Sequence, residues 1–182
     1  MRKVYLIRHG LPDFPAGEQM CLGITDIPLG SEGFLQANAM AKLLPPVTAV
    51  FSSPLTRAVQ TAEAIGLPIT ILDDLREMHA GEWDGLTFSQ IQQQYPELYA
   101  ARGLDNTLPL PGAEPEDAGC ARFCRAMEQA ANLSAGDFAV VAHGGVISHF
   151  LQKISGIRYK PNYTEIIPLI YNNGHFLPQE EL

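Results

Sequence analysis

The chain has 182 residues, of which 46% are hydrophobic and 18% are charged, a composition typical of a globular protein long enough to bury a core. Its formal net charge of −8 argues against nucleic acid as a partner, because such partners usually require a basic surface. No apolar run reaches the length of a membrane span or a signal-peptide core, and the three cysteines form no CxxC pair. We therefore expect one domain over residues 1–182, reduced and cytoplasmic, with no membrane partner.

Short apolar runs alternate with amphipathic segments in the first half of the chain. The expected elements are, in chain order, a strand at 3–8, a helix at 31–44, a strand at 47–53, a helix at 53–66 and a strand at 68–72. Ser31 and Ser53 are the expected N-caps of the two helices. Pro54 would occupy the first turn of the second helix, and Gly66 would end it.

The second half begins with a polar, turn-rich stretch, 73–111, and then returns to the same alternation. Its expected elements are short helices near 88–95 and 96–103, a longer helix that includes 120–133, a strand at 137–142, a helix at 143–156 and a pair of strands within 163–177 that turns at Asn172-Asn173-Gly174. Strands that alternate with helices of this length predict a mainly parallel sheet covered on both faces. The expected fold class is a three-layer α/β/α sandwich.

Polar residues follow each of the four expected parallel strands. They are Arg8-His9-Gly10, Ser52-Ser53 with Arg57 beyond them, Arg76-Glu77, and His143-Gly144-Gly145. Ligands of open parallel sheets bind at the carboxyl ends of the strands, so we expect these residues to lie at one edge of the sheet and to form the binding site.

The chemistry of this set suits a phosphoryl group. Arg8 would depress the pKa of the neighbouring His9 imidazole and keep one ring nitrogen nucleophilic. Arg8 and Arg57 offer forked donors for phosphate oxygens, and His143 in its protonated form would add charge. The glycines after His143, beginning with Gly144, would present backbone N–H groups at a helix N-terminus. No HxxxH or HxH spacing predicts a metal site, and the arginines would repel a cation.

Each of these residues also has an ordinary structural interpretation when it is taken alone. A histidine at a strand exit or an arginine on a helix needs no function, and Glu77, which lies among other carboxylates in the sequence, could simply face water. His79, His149 and His175 lack a comparable setting and are predicted to be structural. The joint placement of the strand-end residues is what favours a site.

Four segments in this order resemble the histidine phosphatase superfamily, which has a phosphoglycerate-mutase-like fold. They are LIRHG, FSSPLTRAVQTA, LREMHAGEWDG and VVAHGGVI. The resemblance implies that His9 is the nucleophile that becomes phosphorylated and that Arg57 binds the phosphoryl group. It further implies that Glu77 is the general acid and base and that His143 is the second catalytic histidine.

The chain departs from the pattern of many members of that family. Leu11 stands where many have a glutamate after RHG, and Ala113 and Pro115 replace a glycine and a serine. Phe34-Leu35 occupies a position where an arginine is usual. The segment CLGITDIPLGSEGFLQA is most similar to the branch that includes α-ribazole phosphatases.

These features predict a metal-independent phosphomonoesterase without a cofactor, acting on a small phosphorylated metabolite such as α-ribazole-5′-phosphate. A cofactor-dependent phosphoglycerate mutase is an alternative, but Arg102 is the only cation between Glu77 and Gly112, whereas a mutase must bind a second acidic group. A non-catalytic binder of phosphorylated ligands is the other alternative; it would not need both His9 and Glu77. Selectivity is expected in the loop after Gly10 and in 85–111. No feature of the sequence predicts an oligomeric state.

Overall fold

The computed structural model describes residues 1–179. Its sheet has six strands: β1 (Arg2–Arg8), β2 (Ala49–Ser52), β3 (Ile69–Ile71), β4 (Phe138–Ala142), β5 (Ile166–Asn172) and β6 (His175–Pro178). Their order across the sheet is β3-β2-β4-β1-β5-β6. The first four are parallel, whereas β5 runs antiparallel to β1 and pairs with β6 as a hairpin.

Helices cover both faces of this sheet. They are α1 (Ser31–Leu43), α2 (Thr56–Glu63), α3 (Phe88–Gln94), α4 (Pro96–Leu104), α5 (Glu116–Leu133) and α6 (Gly144–Ser155), and single 3-10 turns lie at Pro15–Gly17, Asp73–Leu75 and Gly81–Trp83. The expected three-layer α/β/α architecture is confirmed. Within residues 1–179, no helix combines the length and the apolar character that crossing a membrane requires.

Strand β1 explains why the apolar run near the N-terminus does not alternate with polar residues. Successive side chains of a strand point to opposite faces of the sheet. Val4 and Leu6 pack with buried residues of α5 and α6, whereas Tyr5 and Ile7 pack with those of α1 and α2. Each fully buried aliphatic side chain stabilises the fold by roughly 1.5–3 kcal/mol, so β1 is a rigid support for the residues that follow it.

The start of α2 differs from the prediction. The helix begins at Thr56 and its N-cap position is Leu55, so Ser53 is not the N-cap and Pro54 precedes the helix. The capping contact comes from a distant loop: the Asp26 carboxylate accepts the Thr56 N–H at 2.8 Å and the Thr56 hydroxyl at 2.7 Å. A local cap rule could not anticipate a partner 30 residues away in the sequence.

Two other helix boundaries also differ by a few residues, and the predicted hairpin is confirmed. Ser31 is the first residue of α1, because Gly30 occupies the N-cap position, and α2 ends at Glu63 before the predicted Gly66. The turn between β5 and β6 has positive φ at Asn173 (49°) and Gly174 (84°), as the type I′ turn of a tight hairpin requires.

Candidate active site

The residues predicted at the four strand ends meet at one edge of the sheet, beside a cavity of about 920 Å³. Arg8, His9, Glu77 and Gly144 line this cavity. Arg57 and His143 are fully buried. The charge of Arg57 lowers the pKa of His9, and the His143 ring lies next to the His9 ring. Arg76 does not join them, because its guanidinium binds the Asp73 carboxylate at 2.9 Å.

His9 follows β1 directly and is only 5% exposed. Its Nδ1 lies 2.7 Å from the Gly10 carbonyl oxygen; a carbonyl only accepts, so Nδ1 carries the proton and Nε2 is the unprotonated nitrogen. Burial lowers the pKa of His9 well below its ordinary value, and the charges of Arg57 and Arg8 lower it further against the opposing bond to Gly10. The imidazole is therefore neutral and nucleophilic at neutral pH.

Arg57 lies in the first turn of α2, and backbone carbonyls fix its guanidinium. Its two terminal nitrogens donate to the Gly23 and Thr25 carbonyls, both at 2.8 Å. The Asp84 carboxylate in turn accepts N–H groups from Gly23, Ile24 and Thr25. The Arg57 Nε has no hydrogen-bond partner among the described residues, although a buried charged group ordinarily needs its donors satisfied. Arg57 is thus a fixed cation whose Nε–H is available to a ligand.

Arg8 is held by the segment just before β5. Its Nη1 donates to the Pro161 carbonyl at 2.9 Å, and its guanidinium lies 3.8 Å from the centre of the Tyr163 ring. The Arg8 carbonyl accepts the Thr164 N–H at 3.0 Å, and Thr164 has a φ of 55°, a conformation that a β-branched residue rarely adopts. Gly144 allows this packing, because a Cβ there would lie 3.2 Å from Arg8 Nε.

His143 follows β4, and the centroid of its ring lies 5.1 Å from that of the His9 ring. Its Nε2 is 2.7 Å from Ser53 Oγ, so the serine predicted as a helix cap instead orients this imidazole. Its Nδ1 is buried without a partner among the described residues. Burial first, and then the charge of Arg57, lower the pKa of His143 well below its ordinary value. The lowered pKa favours the neutral imidazole at neutral pH, and the protonated form of His143 on a bound phosphoryl group stays a prediction.

Glu77 is 8% exposed, and its carboxylate occupies the N-terminus of α6. One oxygen accepts the Gly145 N–H at 2.8 Å, and the other accepts the N–H groups of Val146 at 3.0 Å and Met78 at 2.9 Å. The expectation that the glycine-rich helix start binds phosphate is therefore wrong for Gly145, whose N–H binds Glu77. Gly144 lines the cavity, and its role as a phosphate contact stays a prediction.

Other cavity residues did not stand out in the sequence. His79 and His149, predicted to be structural, line the cavity, as does Tyr163. Residues before β5 reach the site because β5 is antiparallel to β1, with Ile166 opposite Ile7, so the start of β5 lies beside the end of β1. The sequence predicts the strand but not its direction, which is why Tyr163 was missed.

The outer walls come from the two segments in which selectivity was expected. The loop after Gly10 and the stretch 85–111 contribute mainly apolar side chains: Pro12, Phe14, Met20, Leu22, Phe88, Leu108, Pro109 and Leu110. Arg102 lies 5.6 Å from the centre of the Trp83 ring. Two further cations, Arg158 and Lys160, lie outside these segments in the sequence and also line the cavity.

The four parallel strands bring two imidazoles, two guanidinium groups and a carboxylate to one edge of an α/β sheet, an arrangement whose charge and donors suit a phosphoryl group. The family model for the histidine phosphatase superfamily (branch 1) matches residues 4–172. The chain belongs to that superfamily.

Three of the similar proteins carry phosphatase names. The uncharacterised phosphatase PhoE of Bacillus subtilis is 30% identical over 99% of this chain and 91% of its own length. A mycobacterial glucosyl-3-phosphoglycerate phosphatase solved with VO3 is 28% identical, with a TM-score of 0.80 and 93% coverage of both chains. The α-ribazole phosphatase of Shigella flexneri has a TM-score of 0.81, with 97% of this chain and 94% of its own covered, and at 24% identity it shows the fold alone.

Proposed function

We propose that this protein is a metal-independent phosphomonoesterase that carries the phosphoryl group on Nε2 of His9. The observation that carries the proposal is the fixed state of His9: the bond from Nδ1 to the Gly10 carbonyl and the lowered pKa leave Nε2 as a free base. Arg8 and Arg57, whose Nε atoms have no hydrogen-bond partner within residues 1–179, supply donors for the oxygens of the phosphoryl group.

The reaction has two steps. In the first, Nε2 of His9 attacks phosphorus in line, the bond to the leaving oxygen breaks, and protonated Glu77 gives its proton to that oxygen. In the second, the Glu77 carboxylate removes a proton from water, which attacks the phosphohistidine and releases phosphate and neutral His9. His143 donates an N–H to the phosphoryl oxygens.

Guanidinium groups take the place of a metal ion in this scheme. Arg8 and Arg57 neutralise the charge that a divalent cation neutralises in other phosphatases. They would also repel such a cation from the same position.

The proposed substrate is a small metabolite whose leaving group is larger than the phosphate. A cavity of about 920 Å³ with apolar walls and the cations Arg102, Arg158 and Lys160 suits a leaving group with an apolar face and a polar or acidic end. α-Ribazole-5′-phosphate is our first candidate, and glucosyl-3-phosphoglycerate is the second. A cytoplasmic location and the absence of a nucleic-acid partner stay predictions.

A phosphoglycerate mutase is the second candidate function, because Arg158 and Lys160 add to the single cation counted in the sequence. Arg158 lies 3.6 Å from the Glu116 carboxylate and is therefore partly neutralised, which favours the phosphatase. Incubation with 3-phosphoglycerate and a 2,3-bisphosphoglycerate primer separates the two. Phosphate release without isomerisation is the expected result, and rapid isomerisation would contradict it.

The direct test is His9→Asn with p-nitrophenyl phosphate as substrate, because asparagine keeps a polar side chain but cannot form the intermediate. We expect kcat to fall by at least about a hundredfold. His175→Asn, at an exposed position in β6, is the matched control and is expected to keep wild-type activity. Full activity of His9→Asn would contradict the proposal, whereas failure of the wild type to form a phosphohistidine with any phosphate donor would favour the non-catalytic interpretation of the site.

A further inference from the structure

The middle of α5 carries a buried cation that the proposed mechanism does not use. Arg122 is only 3% exposed, and burial of a charge is costly unless hydrogen bonds satisfy it. Its Nη1 donates to the carbonyls of Asp74 (2.9 Å) and Arg76 (2.6 Å), and its Nη2 donates to the carbonyl of Glu77 (3.0 Å). Arg122 thus grips the backbone of the segment that ends at the proposed acid.

The Glu114 carboxylate fixes the other side of this guanidinium. Its two oxygens accept from Nε and Nη2 of Arg122, both at 2.7 Å, in the bidentate geometry that gives the strongest ion pairs. Arg122 is the main cause that lowers the pKa of Glu114. The Glu114 N–H also donates to the His79 carbonyl at 3.0 Å. Together these contacts, the Arg122–Glu114 clamp, tie the loop before α5 to both sides of Glu77.

The clamp does not involve the side chains of Ala113 and Pro115, the two residues of this loop that depart from the family pattern. Ala113 and Pro115 differ from the pattern of many family members, but the residue between them, Glu114, makes the contact with Arg122. Pro115 is the N-cap position of α5 and provides no side-chain hydrogen bond there. The contact to the Glu77 segment therefore comes from Glu114 and does not depend on a side-chain helix cap at position 115.

We propose that Arg122 and Glu114 are positioning residues for the Glu77 proton transfer, a role that rests on the proposed function. The N–H groups of Gly145 and Val146 hold the Glu77 side chain, and the clamp holds its backbone carbonyl. Because Glu77 is held at its backbone carbonyl and at its side-chain oxygens, its carboxyl group keeps the orientation from which it would protonate the leaving oxygen. Loosening one end misaims the proton donor, but it leaves His9 in place on β1.

This role makes the effect of a variant depend on the leaving group. An alkyl phosphate releases a strongly basic alkoxide that needs the Glu77 proton, whereas p-nitrophenolate leaves without one. General acid catalysis commonly raises the reaction rate by about a hundredfold or more. Poor alignment of Glu77 should therefore lower the rate for the alkyl phosphate and leave the rate for p-nitrophenyl phosphate nearly unchanged. The parameter to compare is kcat/KM, because it reports the steps up to release of the alcohol and excludes hydrolysis of the phosphohistidine.

The experiment compares Arg122→Met and Glu114→Gln with wild type on an alkyl phosphate and on p-nitrophenyl phosphate. Arg125→Met is the matched control, because Arg125 lies on the same helix and binds the Asp74 carboxylate at 3.2 Å from an exposed position. Glu77→Gln is the reference for complete loss of the acid. Glu114→Gln keeps the size of the side chain and carries the test if Arg122→Met does not fold.

We expect kcat/KM for the alkyl phosphate to fall by about tenfold or more in both clamp variants, with less than about a threefold loss for p-nitrophenyl phosphate and wild-type values for Arg125→Met. Equal losses on the two substrates would mean that the clamp only stabilises the fold and would overturn the inference. If Glu77→Gln itself shows no dependence on the leaving group, the acid role in the proposed function fails instead, and the two failures are distinguishable.

Discussion

Replacement of Gly145 by alanine would place a methyl group against the carboxylate of Glu77. A Cβ at this position would lie 2.7 Å from Glu77 Oε1 and 3.1 Å from both Cδ and Oε2. Restoring an ordinary contact of 3.4 Å displaces the carboxylate by about 0.7 Å. Misplacement of a catalytic group by about 1 Å can cost about a hundredfold in rate, so we expect kcat/KM for an alkyl phosphate to fall by about ten- to a hundredfold.

Gly103→Ala is the control for this variant. It is also a glycine-to-alanine change in a helix, but its Cβ would meet no atom of the described residues within 4 Å. It should therefore raise the free energy of unfolding by about 0.5–1 kcal/mol and leave kcat/KM unchanged. Steady-state kinetics and chemical denaturation measure both quantities. Wild-type activity of Gly145→Ala would refute the reasoning, because it would show that Glu77 need not occupy its observed position.

Three further predictions follow from the residues around the phosphoryl site. Burial lowers the pKa of His143, so the stability from its neutral form is present above the ordinary histidine pKa of about 6.5 and is lost as pH falls below it. The Tm of the wild type should therefore fall more steeply than that of His143→Gln between about pH 7 and about pH 5, and parallel curves would contradict this. Tyr163→Leu removes the ring face from Arg8 and should weaken inorganic phosphate binding by about 2- to 30-fold in calorimetry. Tyr159→Phe should leave the Kd unchanged, and an unchanged Kd for Tyr163→Leu would argue against the stacking role. Dialysis against a chelator should leave kcat unchanged because guanidinium groups neutralise the charge, and recovery on addition of Mg²⁺ to a dialysed, inactive sample would contradict this.

Chain order and hydrophobic periodicity were enough to place the main site residues. Continuous apolar runs marked the strands of the parallel sheet, and the rule that ligands bind at strand carboxyl ends brought Arg8, His9, Glu77 and His143 to one edge. This prediction needs only the strand direction, which parallel strands share. The predicted position of the site therefore does not depend on the helix boundaries, and the error at the start of α2 did not affect it.

The roles of Ser53, Tyr163 and Arg122 depend on tertiary contacts and were not readable from local pattern. Ser53 before a proline looks like a helix cap, but its hydroxyl meets a histidine 90 residues away. Arg122 in a helical segment looks like a solvent-facing residue, and only the fold shows that backbone carbonyls and Glu114 surround it. The neutral state of His143 likewise follows from its complete burial, which the neighbouring residues in the sequence do not predict.

The central claim, that His9 carries the phosphoryl group, is tested most directly by trapping the intermediate. The protein is mixed with an excess of substrate, quenched under alkaline denaturing conditions, digested and examined by mass spectrometry. With p-nitrophenyl phosphate as the substrate, whose leaving group needs no proton, the account predicts one acid-labile, base-stable phosphoryl group on the peptide that contains His9. Its level is expected to be higher in Glu77→Gln, where attack by water is slowed. A phosphoryl group on a different residue, or none on either protein while substrate turns over, would contradict it.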